Sequence, residues 1–213
     1  MSLYRAETPA RVYLGDQLAA AVYRGEVIVW RRDPLYLDAA ATITVTVPTW
    51  AALADVGVLG GGGGGATADN GASTSNGSGG NAAVWATETI SVVPGQQISL
   101  TIGPGGAGGS GGVKRSGTAG TASSASSGTW SLTSAGGTPG VGSTTNDDVT
   151  GHGAYSAELN GAVFPGGVDV AARATGSTPG GGGGGGPYPG WFGSAQSAGP
   201  GAPGSARIRW RSY

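Results

Sequence analysis

Two glycine motifs in this 213-residue sequence match patterns that other proteins use for chemistry. Residues 103–108 read Gly-Pro-Gly-Gly-Ala-Gly and fit the G-x-G-x-x-G pattern of dinucleotide sites. Residues 108–112 read Gly-Gly-Ser-Gly-Gly and fit the G-x-S-x-G pattern of a nucleophilic serine. Both patterns require a helix directly after the motif, and the following stretch, GSGGVKRSG, does not favour one. Glycine-rich sequence matches such motifs by accident, so we predict neither site.

Hydrolytic or metal chemistry would have to use His152, because it is the only histidine and the chain has no cysteine. The carboxylates that could join it are Asp147, Asp148, Glu158 and Asp169. However, the run from Asn146 to Asp148 is typical of a solvated turn. We therefore predict no enzyme activity, no catalytic residue, no metal and no cofactor.

The charged residues leave two interpretations open. Lys114 and Arg115 are adjacent, and Arg207, Arg209 and Arg211 alternate along a strand-like C-terminal stretch. These cations either bind an anionic partner or protect an edge strand from aggregation. A net charge of -1 gives no support for a nucleic-acid partner. Because no 18 apolar residues stand together and no basic start precedes an apolar run, we predict no signal peptide and no membrane span.

Aromatic residues suggest a contact surface near the C-terminus. The stretch GGPYPGWFGSAQ places Tyr188, Trp191 and Phe192 among prolines and glycines, outside any strand pattern. Aromatic rings combine an apolar face with a polar edge, which suits contact with a partner or a glycan. The alternative is that these rings fill the gap between glycine loops as a local core.

The elements that must position these residues fall into two regions. Residues 1–38 hold ten of the 23 charged residues and only two of the 46 glycines. Within them, VYLGDQLAAAVYRGEVIVW repeats a strand-like decapeptide. Two such short strand pairs are not stable alone, so we predict a β-hairpin docking module. The residues expected to pack against another chain or domain are Tyr13, Tyr23, Val27, Val29 and Trp30.

Residues 39–213 are predicted to form a second, glycine-rich β domain. Ile43, Val45 and Val47 alternate as in a core-facing strand, and Pro94-Gly95 predicts a type II turn within a hairpin of residues 90–102. Glycine runs at 60–65 and 180–186 could each extend about 3.1 Å per residue and lie side by side. The predicted fold is therefore all-β, a sandwich or jelly roll with packed, polyglycine II-like loops.

The order of these segments resembles a known family. TITVTVP, LGGGGGG, VVPGQQISLTIGPGGAGG, SLTSAGG and GAPGSARIRW follow one another as in the glycine-rich domain of minor tail proteins and fibre tips of tailed phages. The repeated VYLG and VYRG element is similar to the start of minor tail proteins from siphophages of actinobacteria. No coiled-coil or collagen-like shaft is present, which favours a compact tip subunit over a protruding fibre.

This resemblance implies a structural virion protein at the phage tail tip, made in the host cytoplasm. The expected partners are other phage tail proteins and a host cell-envelope glycan or protein, and the expected assembly is a homotrimer. The alternatives are a dedicated adhesin for a host envelope polymer and, less in keeping with the motifs, a cell-wall hydrolase.

Overall fold

A computed structural model describes residues 13–14, 17–18, 21–24, 27–31, 35–70, 75–142, 147–190 and 193–212. These residues form strands, turns and extended segments without a helix, which confirms the predicted all-β class. Accordingly, none of the described residues belongs to a helix that could cross a membrane. The strands are β1 (Tyr13–Leu14), β2 (Gln17–Leu18), β3 (Ala21–Arg24), β4 (Val27–Arg31), β5 (Leu35–Ala39), β6 (Ile43–Thr46), β7 (Leu53–Leu59), β8 (Ala86–Ser91), β9 (Gln97–Thr101), β10 (Ser123–Ser127), β11 (Trp130–Ser134), β12 (Ala157–Leu159), β13 (Ala162–Phe164) and β14 (Ser205–Arg211).

Two four-stranded antiparallel sheets form a sandwich. One sheet has the order β5-β14-β7-β8 and the other the order β11-β10-β9-β6. Residues with period two along these strands meet between the sheets, among them Val56, Ile98, Leu100 and Ile208, which are all fully buried. The alternating strand pattern of the sequence therefore identified most of the faces that form the core, including Val45 and Val47. Ile43, which was predicted to share that face, is exposed at the start of β6.

The short N-terminal strands pair only with each other within the described residues, β1 with β2 and β3 with β4. β5 is different, because it pairs with β14 from Leu35 opposite Trp210 to Ala39 opposite Ala206. The sandwich thus includes residues that precede the predicted boundary at 38. Whether residues 1–38 act as a separate docking module stays a prediction.

The prediction of a hairpin over residues 90–102 was wrong, although its turn is present. Gln96 N donates to Val93 O (3.0 Å), and Gly95 has φ +83° as a type II turn requires. However, β8 pairs with β7 while β9 pairs with β6 and β10. The turn therefore carries the chain from one sheet to the other.

Replacing Gly95 with alanine should lower the free energy of unfolding by about 1 kcal/mol, because a side chain disfavours the left-handed backbone there. No atom lies close enough to obstruct the new Cβ, so backbone strain is the only expected cost. Gly95→Asn should cost less, since asparagine tolerates this conformation. Urea unfolding checks both variants, and equal losses would contradict the backbone explanation.

The prediction that the C-terminal strand could present an edge was also wrong. β14 lies between β5 and β7 and pairs with both over most of its length. Its backbone groups are therefore satisfied on both sides. Within the described residues, the strands with a single neighbour in the two large sheets are β5, β8, β6 and β11.

Ten extended segments form a bundle that continues from one end of the sandwich. They are residues 60–69, 75–83, 103–109, 115–121, 135–141, 147–154, 166–171, 173–177, 180–186 and 198–204. Burial along the outer segments repeats every third residue, as at Gly103, Gly106 and Gly109. Three residues per turn is the period of the polyproline II conformation. The packed, polyglycine II-like loops of the prediction are thus observed.

Residues 60–69 form one of two fully enclosed segments of the bundle. Gly61 donates to Thr121, Gly62 to Ala202 and Gly63 to Asn81, and each partner belongs to a different neighbouring segment. Three further neighbours donate to the same segment through Gly106, Gly137 and Gly183. Six neighbours around one segment make a hexagonal packing, in which each amide of residues 61–67 donates to a carbonyl of an adjacent segment.

The second enclosed segment, residues 180–186, lies beside the first, because Gly183 N donates to Gly63 O (2.9 Å). The hydrogen bonds arrange the ten segments in three layers of three, four and three. The first layer holds 103–109, 198–204 and 173–177; the second holds 115–121, 60–69, 180–186 and 166–171; the third holds 135–141, 75–83 and 147–154.

The β12–β13 hairpin covers the outer surface of the β7 sheet. Phe164 packs against Trp85 with ring centroids 5.5 Å apart, and its ring lies directly over Gly57 of β7. A side chain at Gly57 would overlap this ring. The glycine in the middle of β7 therefore makes room for a second small core beside the bundle.

Candidate functional site

The connections of the bundle gather at the end away from the sandwich, which we call the tip. Residues 60–69 lead to the tip from β7, and residues 75–83 return from it toward β8. Four further pairs of segments repeat this course. The described parts of the tip are residue 70, residues 110–114, 142, 147, 171–173, 187–190 and 193–197.

Tyr188 lies at the tip, and its role as a contact residue stays a prediction. It is half-buried, and its backbone N donates to Asn76 Oδ1 (2.8 Å), which joins two of the connections. Trp191 and Phe192 lie outside the described residues, so their part of the predicted contact surface stays a prediction. The same holds for the side chains of Tyr13, Tyr23, Val27, Val29 and Trp30, although the strands that carry them are described.

An ion pair fixes a further part of the tip. Lys114 Nζ lies 2.9 Å from Asp69 Oδ2, and the carboxylate is largely buried. Lys114 N also donates to Ala68 O (3.1 Å), so both the backbone and the side chain attach this connection to the segment 60–69. Arg115 follows with N donating to Thr67 Oγ1 (2.8 Å). The charge of Lys114 and the backbone of both residues thus help to hold the tip together.

The two glycine motifs serve the bundle. Gly106 and Gly109 donate their amides to Gly62 and Gly65, so these N–H groups are committed to the protein's own backbone. Ser110 is exposed at the tip and is followed by a turn at Val113 and Lys114. A phosphate cradle and a nucleophile elbow each need a helix N-terminus at this position, and the described residues after both motifs form none.

The carboxylates near His152 bind backbone amides. Asp148 Oδ1 accepts from Thr150 N (2.9 Å), and Asp169 Oδ1 accepts from Gly153 N (2.6 Å). The hydrogen bonds from Thr150 lower the pKa of Asp148, with a smaller contribution from His152. Among the described residues, no three acidic, histidine or cysteine side chains are grouped as a metal site would need.

The C-terminal arginines bind carboxylates of the same chain. Arg207 pairs with Asp38, with Nε 2.5 Å from Oδ1. Arg209 NH2 lies 2.6 Å from Asp55 Oδ2, and Arg211 Nε lies 3.1 Å from the same oxygen. Of the two interpretations left open for these residues, protection of an edge strand does not apply, since β14 lies between two other strands. Two carboxylates serve the three arginines, and binding of an anionic partner stays a prediction.

Sequence analysis missed Asp55, which is fully buried on the face of β7 away from the main core. Its Oδ1 accepts hydrogen bonds from Thr89 Oγ1 (2.7 Å) and Asn160 Nδ2 (2.8 Å). Asn160 belongs to the turn between β12 and β13, and its carbonyl accepts from Arg209 NH2 (2.8 Å). The sequence signal that could have identified this buried ion pair is an aspartate within the apolar run of β7. Its counterpart is β14, which carries an arginine at every second position.

The sequence model of a family described as a glycine-rich domain matches residues 38–168, which is more than half of the chain. Among curated proteins, none matches. The matched region begins in β5 and includes most of the sandwich, six of the ten bundle segments and the start of a seventh, residues 166–171.

Proposed function

Since the chain belongs to the glycine-rich domain family, we propose that it is a structural virion protein of a phage tail tip. In this role it contributes to assembly of the tail tip and to recognition of the host cell surface. The order of segments along the sequence, which resembles minor tail proteins of siphophages, is the ground for the virion assignment. The fold supports this assignment because the entry of the chain into the sandwich and the tip of the bundle lie at opposite ends. A tail-tip subunit needs contacts with the virion at one end and with the host at the other.

The observation that carries the proposal is the opposite placement of the chain's entry and the tip. The chain enters the sandwich at Leu35, opposite Trp210, and β5 then runs toward the bundle to Ala39. The bundle extends farther in the same direction and ends in the tip. Residues 1–33 therefore connect at the end that would face the virion, and the loop bearing Tyr188 lies at the end that would face the host.

The homotrimer remains part of this proposal, and we place its interface at exposed strand edges of the sandwich. Trp130 Nε1 donates to Glu88 Oε2 (3.1 Å) and links the β11 and β8 sides of the two sheets. β5 and β6 bound the other side, and each has one strand neighbour within the described residues. Unpaired strand edges invite pairing with another chain, and a closed ring of copies satisfies them without further growth.

An adhesin without an assembly role is the second candidate, favoured by the exposed connections of the tip. One experiment separates the candidates. Virions made without the protein should fail to assemble a complete tail tip if the role is structural, whereas an adhesin alone would leave intact particles that do not adsorb.

We expect antibodies against the full chain to label the tail tip of virions in electron micrographs. Excess purified protein should also slow adsorption of virions to host cells, because it competes for the same surface groups. The Tyr188→Ala variant should compete less well, with Thr175→Ala on the side of the bundle as its control. Purified virions that lack the protein, or that carry it away from the tail tip, would contradict the proposal.

A further inference from the structure

One flat side of the bundle presents a regular array of side chains. It is the outer surface of the layer formed by segments 135–141, 75–83 and 147–154. Because only every third residue of such a segment points outward, the array has three rows about 9 Å apart. The rows are Ala135, Val84 and Tyr155; Thr138, Asn81 and His152; and Val141, Ser78 and Val149. We call this surface the His152 face.

The positions within each row follow from hydrogen bonds between the segments. Asn81 Nδ2 donates to Thr138 Oγ1 (2.9 Å), and Val141 N donates to Ser78 Oγ (2.8 Å). On the other side, His152 N donates to Gly80 O (3.0 Å). Neighbouring segments that are joined by such backbone hydrogen bonds lie about 5 Å apart. The face is therefore rigid and regular in both directions.

The chemistry of the His152 face alternates between apolar and polar rows. Tyr155 is 91% exposed, Val84 77% and Val141 56%, which are high values for large apolar side chains. The row between them offers the hydroxyl of Thr138, the amide of Asn81 and the imidazole of His152. None of the nine outward positions is occupied by an acidic residue, lysine or arginine. Exposed large apolar side chains that share one row, such as Val84 and Tyr155, are typical of an interaction surface.

We propose that the His152 face binds a neutral, linear polysaccharide. A sugar ring has apolar C–H faces that can stack on the exposed Tyr155 ring, and hydroxyls that both donate and accept hydrogen bonds to the polar row. A repeating partner suits a surface whose groups recur at a fixed spacing, comparable with the length of a disaccharide unit. The lack of acidic, lysine and arginine side chains at the nine outward positions matches an uncharged polymer.

A second copy of the chain fits this surface less well. Two such faces packed together would desolvate the polar row, and its amide, imidazole and hydroxyl groups would each need a partner in fixed geometry. Sugar hydroxyls adapt to either donor or acceptor by rotation, so they meet this requirement at lower cost. The opposite side of the bundle, with Pro104, Pro200, Pro203 and Thr175 exposed, offers no aromatic ring among its described outward residues.

The test is titration calorimetry of the purified full chain with two neutral linear oligosaccharides, cellohexaose and chitohexaose. We expect binding of at least one of them and a loss of about tenfold in affinity for Tyr155→Ala, the range for one aromatic stacking contact. Asn81→Ala should also weaken binding, whereas Thr175→Ala on the opposite side should not. Equal melting temperatures of the variants would show that folding is intact.

Binding of neither oligosaccharide, or unchanged affinity in Tyr155→Ala, would overturn this inference. So would an oligomer that dissociates in Tyr155→Ala during sedimentation, because the face would then be a contact between copies. The inference rests on the proposed function only for the source of the polysaccharide, a host envelope. Antibody labelling of virions tests that function separately, so failure of sugar binding and failure of the virion assignment are distinguishable.

Discussion

Replacing Gly183 with valine should destabilise the protein more than any substitution on its surface, by about 3 kcal/mol or more. Gly183 lies in the enclosed segment 180–186, where a Cβ would lie far inside van der Waals contact with the carbonyl oxygen of Gly199. Its amide donates to Gly63 O and its carbonyl accepts from Gly80 N, so the chain cannot move away without breaking hydrogen bonds. Urea unfolding followed by circular dichroism measures the loss.

Gly112→Val is the matched control for this substitution. The nearest atom to a Cβ at Gly112 is Nε of the flexible Arg115 side chain, at 3.3 Å, and the backbone there is not left-handed. We expect a change within about 0.5 kcal/mol, as for ordinary surface substitutions. Similar losses in both variants would mean that close packing of the chains does not stabilise the bundle.

Replacing Asp55 with asparagine should lower the free energy of unfolding by about 3 to 5 kcal/mol, the range for removing one partner of a buried ion pair. The Asp55 side chain is 0% exposed and faces the buried Arg209 and the partly exposed Arg211. The substitution keeps the size of the side chain but leaves both guanidinium groups without their counter-charge. Thermal and urea unfolding at neutral pH measure this loss.

Asp38→Asn is the control, because it removes the carboxylate from the ion pair with Arg207 at a site that is 60% exposed. Solvent screens such a pair, so the expected cost is below about 1 kcal/mol. Equal costs at the two sites would contradict the view that burial sets the contribution of these ion pairs.

The stability difference between the wild type and Asp55→Asn should also depend on pH. Burial raises the pKa of Asp55, but hydrogen bonds from Thr89, Asn160 and Arg209 and the charge of Arg211 outweigh it and hold the pKa below its ordinary value of 3.8. A lowered pKa in the folded state stabilises the protein above the ordinary value and ceases to do so as the pH falls through the folded value. The two curves should therefore converge in acid.

Period-two alternation made the sandwich predictable from sequence. Residues such as Ile98, Leu100 and Ile208 follow this pattern and are buried between the sheets. The partners of the strands were not predictable in the same way. A Pro-Gly turn has the same local geometry whether it joins paired strands or strands of opposite sheets. The sheet to which each strand belongs is decided by its pairing partner, β7 for β8 and β10 for β9.

Packing of extended glycine-rich segments was predictable from sequence, but the number and arrangement of the segments were not. The sequence has no Gly-x-y period along the whole chain, because the period of three is local to each segment and restarts at each connection. Gly103, Gly106 and Gly109 are buried in one segment, and Gly137 and Gly140 in another. The network around Asp55 was not predictable, because Asn160 reaches it from a turn 105 residues away.

The layered bundle constrains how its segments can change length. Inserting one or two residues into segment 135–141 would rotate the rest of that segment, and Thr138 or Val141 would then point at a neighbouring backbone where glycine is required. An insertion of three residues adds one complete turn, so every later side chain keeps its original direction. Insertions and deletions within a segment are therefore tolerated in multiples of three, whereas the connections at the tip are free of this rule. Relatives should therefore differ in segment length by multiples of three residues, whereas the connections at the tip should differ by any number of residues.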